Sequence, residues 1–495
     1  MAQNNVTVGI DNQTVLNTIT KDYLAERRVE FERPANDLID ILMEKAETIE
    51  CNTLGDYETM IEDSYNFSAT PGGENKILPD GKNKVDAAKI ALSLTQTYAN
   101  AEITRHSLIF RQQSDGSYVD VVHKALSDLI FGVEWYRSVM AFGNGTGQIA
   151  TVGTTGSSVS VGSSATVSCN NTYIDLGIDN TQFMRVGINV EFYRSGSLVG
   201  TGLVTAVHPT YRRASDNSQT GTFTFVNNYT SSFTPTKNDQ VFIAGAYGST
   251  EIMQGLRTII NPAIYNTTTW GWVADGNDVF EGLYQGKKGS ATTIARSNTT
   301  NPYAEIFRSK LWRTDDNGKL DLVSDATSHA AQTGNSLSDW DMGTLRDVIA
   351  EMDYNSKNSG QINGLLMDQF MAEKAFKIAE DKIGIYSGLP EAEAQSKVGK
   401  DLLRATGIRK TDGTVIPIIT TKWMPSNEII GVCFDDLFFL KHGNYEFLSR
   451  NGGVWEPSFV NGRDNFQAPY MGFENIGARR CDKCFSIQGL KDSRD

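Results

Sequence analysis

Residues 418–441, IITTKWMPSNEIIGVCFDDLFFLK, carry the sequence pattern that says most about the fold. Apolar runs stand on both sides of a Met-Pro-Ser-Asn turn at 424–427, and an Asp-Asp pair at 435–436 precedes a third apolar run. Runs rich in β-branched and aromatic residues that are bounded by turn residues are typical of strands. The pattern predicts strands at 414–419 and 428–434, followed by a further strand after the aspartates.

The segment before this stretch predicts two helices around a buried strand. Ser338 and Asp341 are suited to cap the first helix, since their side-chain oxygens can accept bonds from its first backbone N–H groups. Its apolar face would consist of Leu345, Val348, Ile349 and Met352. INGLLM at 362–367 predicts a buried strand, and DQFMAEKAFKIAED at 368–381 predicts a helix opened by Asp368. The whole section is therefore of the α/β type.

Helices are also predicted in two earlier regions. Apolar spacing favours helix over 14–50, interrupted at Pro34. The clearest helix is at 117–141, where Ser117 is a suitable N-cap and Asp120 follows three residues later. One apolar stripe runs along it, formed by Tyr118, Val122, Ala125, Leu126, Leu129, Val133, Tyr136 and Met140. At 1.5 Å per residue this helix would be roughly 37 Å long.

Residues 52–95 have a different character. Two extended runs flank a tip at 69–84, ATPGGENKILPDGKNK, whose prolines and glycines exclude a helix. The sequence at 84–109 predicts a long strand pair. Isolated hairpins are marginally stable in water, and this one has few apolar residues. We therefore expect it to lean on its own domain or on a neighbouring chain.

The composition changes sharply between Asn144 and Ala246. Only ten of these 103 residues are charged, and their charges cancel. Alternating segments separated by turn residues predict an all-β module, with strands at 187–193, 198–207, 221–226 and 240–245. Helical sequence resumes at 250–260. A β-module between two helical stretches indicates an inserted domain that is joined at neighbouring ends.

Composition restricts the class of protein. The chain has 495 residues, 39% of them hydrophobic, so several domains are expected. Its 45 basic and 59 acidic residues give a net charge of −14, which argues against a dedicated nucleic-acid reader. Five cysteines fit a reducing compartment better than a disulfide framework. No apolar run is long enough for a membrane span, and the first ten residues do not have the pattern of a secretory signal.

The motifs that could carry chemistry are weak. Cys481 and Cys484 form a lone CxxC without the further ligands of a structural zinc site. The glycine-rich run at 143–147 follows a helix and lacks the Lys-Ser/Thr of a phosphate loop, so it is interpreted as a helix end and hinge. The aspartates at 435–436 would point to opposite faces of a strand. The histidines are scattered singly: His106, His123, His208, His329 and His442. No catalytic, cofactor-binding or metal-binding residue is predicted, and no cofactor.

The order of these parts resembles the major capsid proteins of tailed bacteriophages with the Hong Kong 97-like fold. The match covers roughly residues 50–490 apart from the insertion, and the pattern at 418–441 is its most specific piece. The resemblance implies an α+β fold with an inserted all-β domain. Its parts would be the N-terminal arm (1–52), the E-loop (53–95), the peripheral domain (96–143) with its spine helix (117–141), the inserted domain (144–246), a peripheral continuation with loops (247–337), the axial domain (338–445), and C-terminal strands returning to both domains (446–495).

The resemblance also implies a function and partners. The protein would be a non-enzymatic structural protein that self-assembles, as hexamers and pentamers, into an icosahedral shell around double-stranded DNA. Its location would be the virion capsid, and the host cytoplasm before assembly. A portal protein and possible decoration proteins would be partners, with no membrane involved. Because no long charged N-terminal coiled-coil segment is evident, a separate scaffolding protein is expected.

Two other classes of function remain open at this stage. The inserted domain could recognise carbohydrate on a virion or cell-surface scaffold, because its polar, Asn/Thr/Tyr-rich sequence is compatible with sugar contacts. An enzyme could use Cys481 and Cys484. Near the hairpin tip, Lys76, Lys82 and Lys84 could form ion pairs between subunits, although exposed pairs contribute only ~0–1 kcal/mol each.

Overall fold

The computed structural model describes most of the chain from Leu38 onward. The described residues are 38–51, 57–63, 86–92, 94–104, 117–143, 145–169, 181, 183–208, 221–249, 252–256, 309–314, 317, 319–322, 337–355, 362–384, 407–409, 415–421, 423–424, 427–448, 454–458, 465–480 and 483–493. The helices in these ranges are α1 (Leu38–Lys45), α2 (Ser117–Phe142), α3 (Met342–Asn355) and α4 (Gln369–Gly384).

The strands, in chain order, are β1 (Glu47–Glu50), β2 (Tyr57–Asp63), β3 (Asp86–Leu92), β4 (Thr95–Thr104), β5 (Gln148–Thr151), β6 (Ser164–Ser168), β7 (Asn189–Arg194), β8 (Ser197–His208), β9 (Thr222–Asn227), β10 (Gln240–Ile243), β11 (Lys310–Thr314), β12 (Leu320–Leu322), β13 (Gly364–Met367), β14 (Gly407–Arg409), β15 (Val415–Thr420), β16 (Glu428–Val432), β17 (Leu437–Lys441), β18 (Glu446–Phe447), β19 (Glu456–Ser458), β20 (Asn465–Ala478) and β21 (Phe485–Gln488). They form three sheets and one separate hairpin.

The first sheet is built around β20. Strand β4 pairs antiparallel with β20 over ten residues, while β17, β18 and β19 share its opposite edge and β1 runs parallel to β17. Helix α2 lies against this sheet, with Leu126 buried beside Ile103, Phe466 and Trp455. Six consecutive residues at the end of the helix, 137–142, are buried. The C-terminal end of α2 is therefore enclosed by protein.

The second sheet is mixed and has the order β12-β11-β21-β16-β13-β15-β14. Helices α3 and α4 contribute to a core on one of its faces, which includes Leu345, Val348, Ile349, Met352, Leu365, Met371, Ala375 and Ile429. Asp341 caps α3 as predicted, because its Oδ1 accepts a bond from the Thr344 N–H at 2.8 Å. Ser338 does not act as a cap. It forms an isolated parallel bridge with Leu490, and the expectation for this residue was wrong.

The segment predicted to be an inserted domain, which keeps that name below, contains the third sheet, of order β5-β10-β7-β8-β9-β6. Its interior contains a cluster of phenylalanines, with Phe192 centred 4.9 Å from Phe225 and 5.2 Å from Phe233. Aromatic rings supply a large buried apolar area. All four strands predicted from alternation in this segment are present. These phenylalanines belong to a buried cluster that continues into the body at Phe142 and Phe439.

The hairpin of β2 and β3 is paired only with itself among the described residues. Its register runs from Tyr57↔Leu92 to Asp63↔Asp86. We call these two strands the arm, which is distinct from the N-terminal arm predicted at 1–52. The prediction of two extended runs in this region is confirmed, and the predicted tip at 69–84 lies outside the described residues. The strand pair predicted over 84–109 is two successive strands with different partners, since β3 pairs with β2 and β4 with β20.

Three other local predictions were wrong. Helix was expected to continue to residue 50, but 47–50 form β1, because pairing with β17 satisfies their backbone groups. Residues 252–255 are not helical, although helix was predicted from 250. The aspartates at 435–436 lie in a single 3₁₀ turn, Phe434–Asp436, and not on a strand. The part of the first predicted helix at 14–37 lies outside the described residues.

The limits predicted for the domains stay a prediction. The sheets combine strands from different parts of the chain. Segment 338–445 contributes strands to two sheets, since β17 joins β20 while β13 to β16 belong to the seven-stranded sheet. That second sheet also takes in β11, β12 and β21, which come from outside the segment.

Candidate functional site

The base of the arm is fixed to the β20 sheet by apolar contacts. Leu92, the last residue of β3, is fully buried in a cluster with Phe438 and Leu440 of β17. A Cβ on Gly477 would lie 2.7 Å from Leu92 Cδ2 and 2.4 Å from Phe438 Cζ. Only glycine leaves room there for both side chains. The arm thus starts from a tightly packed point.

Polar contacts beside the arm's base join β1 to β17. The Cys51 N–H donates to the Lys441 carbonyl at 2.9 Å, and His442 Nδ1 lies 2.6 Å from the Cys51 carbonyl oxygen. Burial raises the pKa of the Cys51 thiol, so it stays protonated at neutral pH. Arg479 forms an ion pair with Glu47 of β1. These bonds hold the strands on which the arm rests.

A buried charged cluster joins α2 to β20. Arg137 donates from Nε and Nη2 to the two carboxylate oxygens of Glu474, both at 2.7 Å. The two residues are only 4% and 2% exposed. Tyr445 donates its hydroxyl to Glu474 Oε1 at 2.9 Å and lies under the guanidinium at 4.8 Å, while Glu134 accepts from Arg137 at 3.2 Å. The bidentate geometry fixes the helix on the strand in one register.

Arg137 and the phenols of Tyr136 and Tyr445 keep their protons at neutral pH. Burial works against the charge of Arg137, but Glu474 beside it keeps its pKa well above the ordinary value. Burial and the same carboxylate raise the pKa of Tyr136 to about 12, and that of Tyr445 also rises well above its usual range. Both phenols therefore stay protonated. The cluster has a structural and not a proton-transfer role.

The inserted domain leaves and rejoins the body at one place. Strands β5 and β10, its first and last, are paired with each other. A Cβ on Gly147 would lie 2.4 Å from the Cβ of Ala246, and a Cβ on Gly255 would lie 2.0 Å from the Gly143 carbonyl oxygen at the end of α2. The Gln254 N–H donates to Asn475 Oδ1 of β20 at 2.9 Å. Where a hinge was predicted at 143–147, the two chain segments that connect the inserted domain to the body therefore pack closely against each other.

A groove of about 880 Å³ lies where the inserted domain meets α2 and β4. We call it the junction groove. One wall is β4, one is the face of α2 around Leu129 and Val133, and the third consists of inserted-domain residues 185–188 and 243–246. Tyr98 of β4 and Val186 of the inserted domain are 63% and 55% exposed on its walls.

The residues considered for chemistry in the sequence do not come together. Cys484 is buried and Cys481 lies outside the described residues. Asp436 forms an ion pair with Lys483 at 3.4 Å. His442 binds a backbone carbonyl and His208 is exposed on β8.

No group of three or more potential metal ligands occurs among the described residues. Within the same residues, no helix has the length and apolar character needed to span a bilayer. His106, His329 and the hairpin-tip residues Lys76, Lys82 and Lys84 are outside the described residues, as is the side chain of His123.

Sequence reasoning missed the Arg137–Glu474 cluster and the junction groove. A signal for the first was available, because Arg137 lies between apolar residues near the end of the long helix, where a charge needs a buried partner. Its partner is 337 residues away, and nothing local identifies it. The groove had no signal, since it depends on how separately predicted elements meet.

No family model matches the chain, and no curated protein does. Several solved structures are similar to it. The cyanophage A-1(L) capsid is 9% identical, with 92% of each chain covered and a TM-score of 0.39. The capsid of a native GTA particle is 7% identical over 91% of this chain and 90% of that one, with a TM-score of 0.36. A structure of Mycobacterium phage Patience is 10% identical over 97% of this chain and 90% of that one, with a TM-score of 0.34.

Proposed function

We propose that the chain is a major capsid protein that self-assembles into an icosahedral shell enclosing double-stranded DNA. The observation that carries the proposal is the arm, a two-stranded hairpin fixed at its base and paired with no other strand of the described chain. Two strands alone bury too little surface to be stable in water. A second copy of the chain can supply the missing surface.

The rest of the fold is consistent with this proposal. The long helix is held on the long strand β20 by a buried bidentate ion pair, so that the arm projects from a rigid body. A subunit in a closed shell makes several contacts at once, and each can be weak because loss of the subunit breaks all of them. A net charge of −14 suits a wall that confines DNA without binding it tightly.

Partners and location follow from the same proposal. The subunits would form hexamers and pentamers with the Hong Kong 97-like arrangement, and a portal protein, a separate scaffolding protein and possible decoration proteins would join them. The protein would occupy the virion capsid after assembly in the host cytoplasm. No cluster of described residues on the inserted domain favours the alternative of carbohydrate recognition, and none supports an enzyme.

Electron microscopy of the purified full-length chain, alone and with its expected scaffolding protein, tests the proposal. We expect closed shells in at least one of these conditions, with hexameric and pentameric units. Light scattering across a concentration series should show a threshold, as expected for closed assembly. A protein that stays monomeric in every condition, with scaffolding protein present, would contradict the proposal.

A further inference from the structure

Two tyrosine rings of the inserted domain are stacked on each other at its surface. The ring centres of Tyr193 and Tyr247 are 3.8 Å apart, with an angle of 18° between the ring planes. The ring of Phe242 meets both of them edge-on, 5.5 Å from Tyr193 and 5.0 Å from Tyr247. Phe242 is buried, Tyr193 is half-buried and Tyr247 is 39% exposed. The stack is therefore held by a buried ring and can still be reached by small solutes.

The local backbone brings these two phenols together. Tyr193 lies in β7, which pairs with β10, and Tyr247 lies in the turns that follow β10. Gly245 and Gly248 in these turns have φ angles of 78° and 69°, which residues with a side chain rarely adopt. The Ala246 N–H donates to the last carbonyl of β10 at 2.9 Å. The turns thus place Tyr247 against the ring on the neighbouring strand.

A carboxylate accepts a hydrogen bond from one of the phenols. Tyr193 donates its hydroxyl to Glu191 Oε2 at 3.3 Å, and the other carboxylate oxygen accepts from the Gly245 N–H at 3.1 Å. Burial and this carboxylate raise the pKa of Tyr193, so the phenol is protonated at neutral pH. A phenol that loses an electron becomes strongly acidic, and an acceptor within hydrogen-bond reach can take its proton. Glu191 therefore favours one-electron oxidation of Tyr193.

We propose that Tyr193 and Tyr247 form an oxidative cross-linking site, at which a one-electron oxidant, such as an activated haem peroxidase or a photosensitiser, joins the two rings as dityrosine. Each phenol gives one electron to the oxidant and loses its proton, to Glu191 from Tyr193 and to water from Tyr247. The two radicals form one carbon–carbon bond ortho to the hydroxyls. The hydrogen atoms on the bonded carbons then move to the oxygens, so the net loss is two electrons and two protons.

The new bond would act at the place where the inserted domain rejoins the body. Tyr247 follows Ala246, and a Cβ on Gly147 at the entry to the domain would lie 2.4 Å from the Cβ of Ala246. A covalent link between β7 and this exit restricts the unfolded chain, as a disulfide does, and so stabilises the folded domain. The inference concerns the single chain and does not rest on the proposed function.

A second tyrosine pair in the chain supplies an internal comparison. The ring centres of Tyr445 and Tyr470 are 5.6 Å apart, and their planes are inclined by 34°. The guanidinium of Arg137 lies 4.8 Å from the centre of the Tyr445 ring. A cation at this distance disfavours removal of an electron from the ring, because the oxidised ring would carry positive charge. We therefore expect this pair to couple much less than the stacked pair.

Photo-oxidation of the purified full-length chain tests the proposal. An equal mixture of ¹⁴N- and ¹⁵N-labelled chains is illuminated with ruthenium tris-bipyridyl and persulfate and digested with trypsin, which releases the two sites in peptides 186–194 and 238–257. We expect these peptides to be joined with loss of two hydrogen atoms, both light or both heavy, as the most abundant dityrosine product. A larger yield of the Tyr445–Tyr470 link, or a mixed-label form of the expected link, would overturn the proposal.

Three variants separate the chemistry from the fold. Tyr247→Phe keeps a stacked ring without a hydroxyl, so the link should be lost completely. Glu191→Gln keeps an oxygen for the Gly245 N–H, and the yield should fall severalfold because the carboxylate no longer takes the proton. Tyr470→Phe is the matched control and should leave the expected link unchanged. Near-ultraviolet circular dichroism checks that the rings remain packed in each variant.

The variants also define the outcomes that contradict the proposal. A link between the same two peptides in Tyr247→Phe would mean that the bond is not dityrosine. An undiminished yield in Glu191→Gln, with the rings still packed, would overturn the role of the carboxylate. The oxidised wild type should unfold at a temperature several degrees above that of oxidised Tyr247→Phe. Equal temperatures would overturn the stabilising effect of the bond.

Discussion

Two β-modules project from the body of this protein, and they differ in where their stability comes from. The inserted domain contains a six-stranded sheet with a buried cluster that includes Phe192, Phe223 and Phe225. The arm has two strands, and its described buried contact is at Leu92, where it meets the body. The first module has many buried aromatic contacts within its own sheet, in a cluster that continues into the body, while the described buried contact of the second is at its base. An element built in this second way depends on what it meets.

The largest effect should come from removing the arm. Residues 57–91 are replaced by a short Gly/Ser linker, which can close the gap because Tyr57 and Leu92 are paired neighbours. We expect complete loss of shells, since the contact between subunits disappears, with little change in the thermal transition of the remaining chain. Electron microscopy and calorimetry measure the two quantities.

The matched control is replacement of 147–245, the inserted domain, by a similar linker. The paired strands β5 and β10 bring its ends together, so the remaining chain should stay soluble and folded. Global unfolding of this variant would mean that the inserted domain is not separable. Shells formed by the variant without the arm would show that the arm is not the assembly element.

A smaller effect is expected from breaking the buried cluster that holds α2 on the body. Arg137→Ala leaves the Glu474 carboxylate buried without its cation, which should cost about 3–5 kcal/mol in the free energy of unfolding. Denaturant titration measures it. The control is the double variant Arg137→Met with Glu474→Leu, which removes both charges and should lose much less. Equal losses in the two variants would show that packing, and not the unpaired charge, sets the cost.

The two modules also show what the sequence could predict. Strands of the inserted domain were predictable because alternation of apolar residues reports a core within the same segment, as for Phe223 and Phe225 in β9. Strand β1 was not, because the helix-like spacing continues into 47–50 and the pairing with β17 involves residues almost 400 positions away. Asp436 was predicted on a strand but lies in a 3₁₀ turn for a related reason, because its ion-pair partner Lys483 is distant in the sequence.

The candidate site shows the same difference between local patterns, which can be predicted, and distant contacts, which cannot. The arm was predictable from its own poor apolar content and its breaker-rich tip. The junction groove was not, because it needs β4, α2 and the inserted domain in their final positions. Sequence patterns thus indicate which segment lacks a partner, but not the surface that would supply one.

The base of the arm can be tested by adding a single methyl group. Gly477→Ala places a Cβ within 2.4–2.7 Å of Phe438 and Leu92, and overpacking of this kind should cost about 1–3 kcal/mol in the free energy of unfolding. Assembly should weaken as well, since the arm's base shifts. Gly132→Ala is the control, because a Cβ there meets nothing within 4 Å and should stabilise α2 by about 0.5–1 kcal/mol. A neutral Gly477→Ala would contradict the packing at the base.

The smallest expected effect is a pH dependence confined to the inserted domain. Asp239 is 1% exposed and accepts bonds from Arg194 at 2.8 and 2.9 Å and from the Thr236 N–H at 2.7 Å. Burial raises the pKa of this carboxyl, but the bonds from Arg194 and Thr236 outweigh it and the net pKa is lowered. The unfolded chain therefore takes up a proton more readily than the folded one.

The stability from Asp239 should accordingly be complete above the ordinary aspartate pKa of 3.8 and decrease as the pH falls through the lower, folded-state value. Because the Arg194 side chain is 44% exposed, the pair should contribute only about 1 kcal/mol. Calorimetry of the full chain at pH 6 and pH 3 should show a difference between wild type and Asp239→Asn at pH 6 that shrinks at pH 3. A difference that persists unchanged at pH 3 would mean that the loss comes from the shape of the side chain and not from its charge.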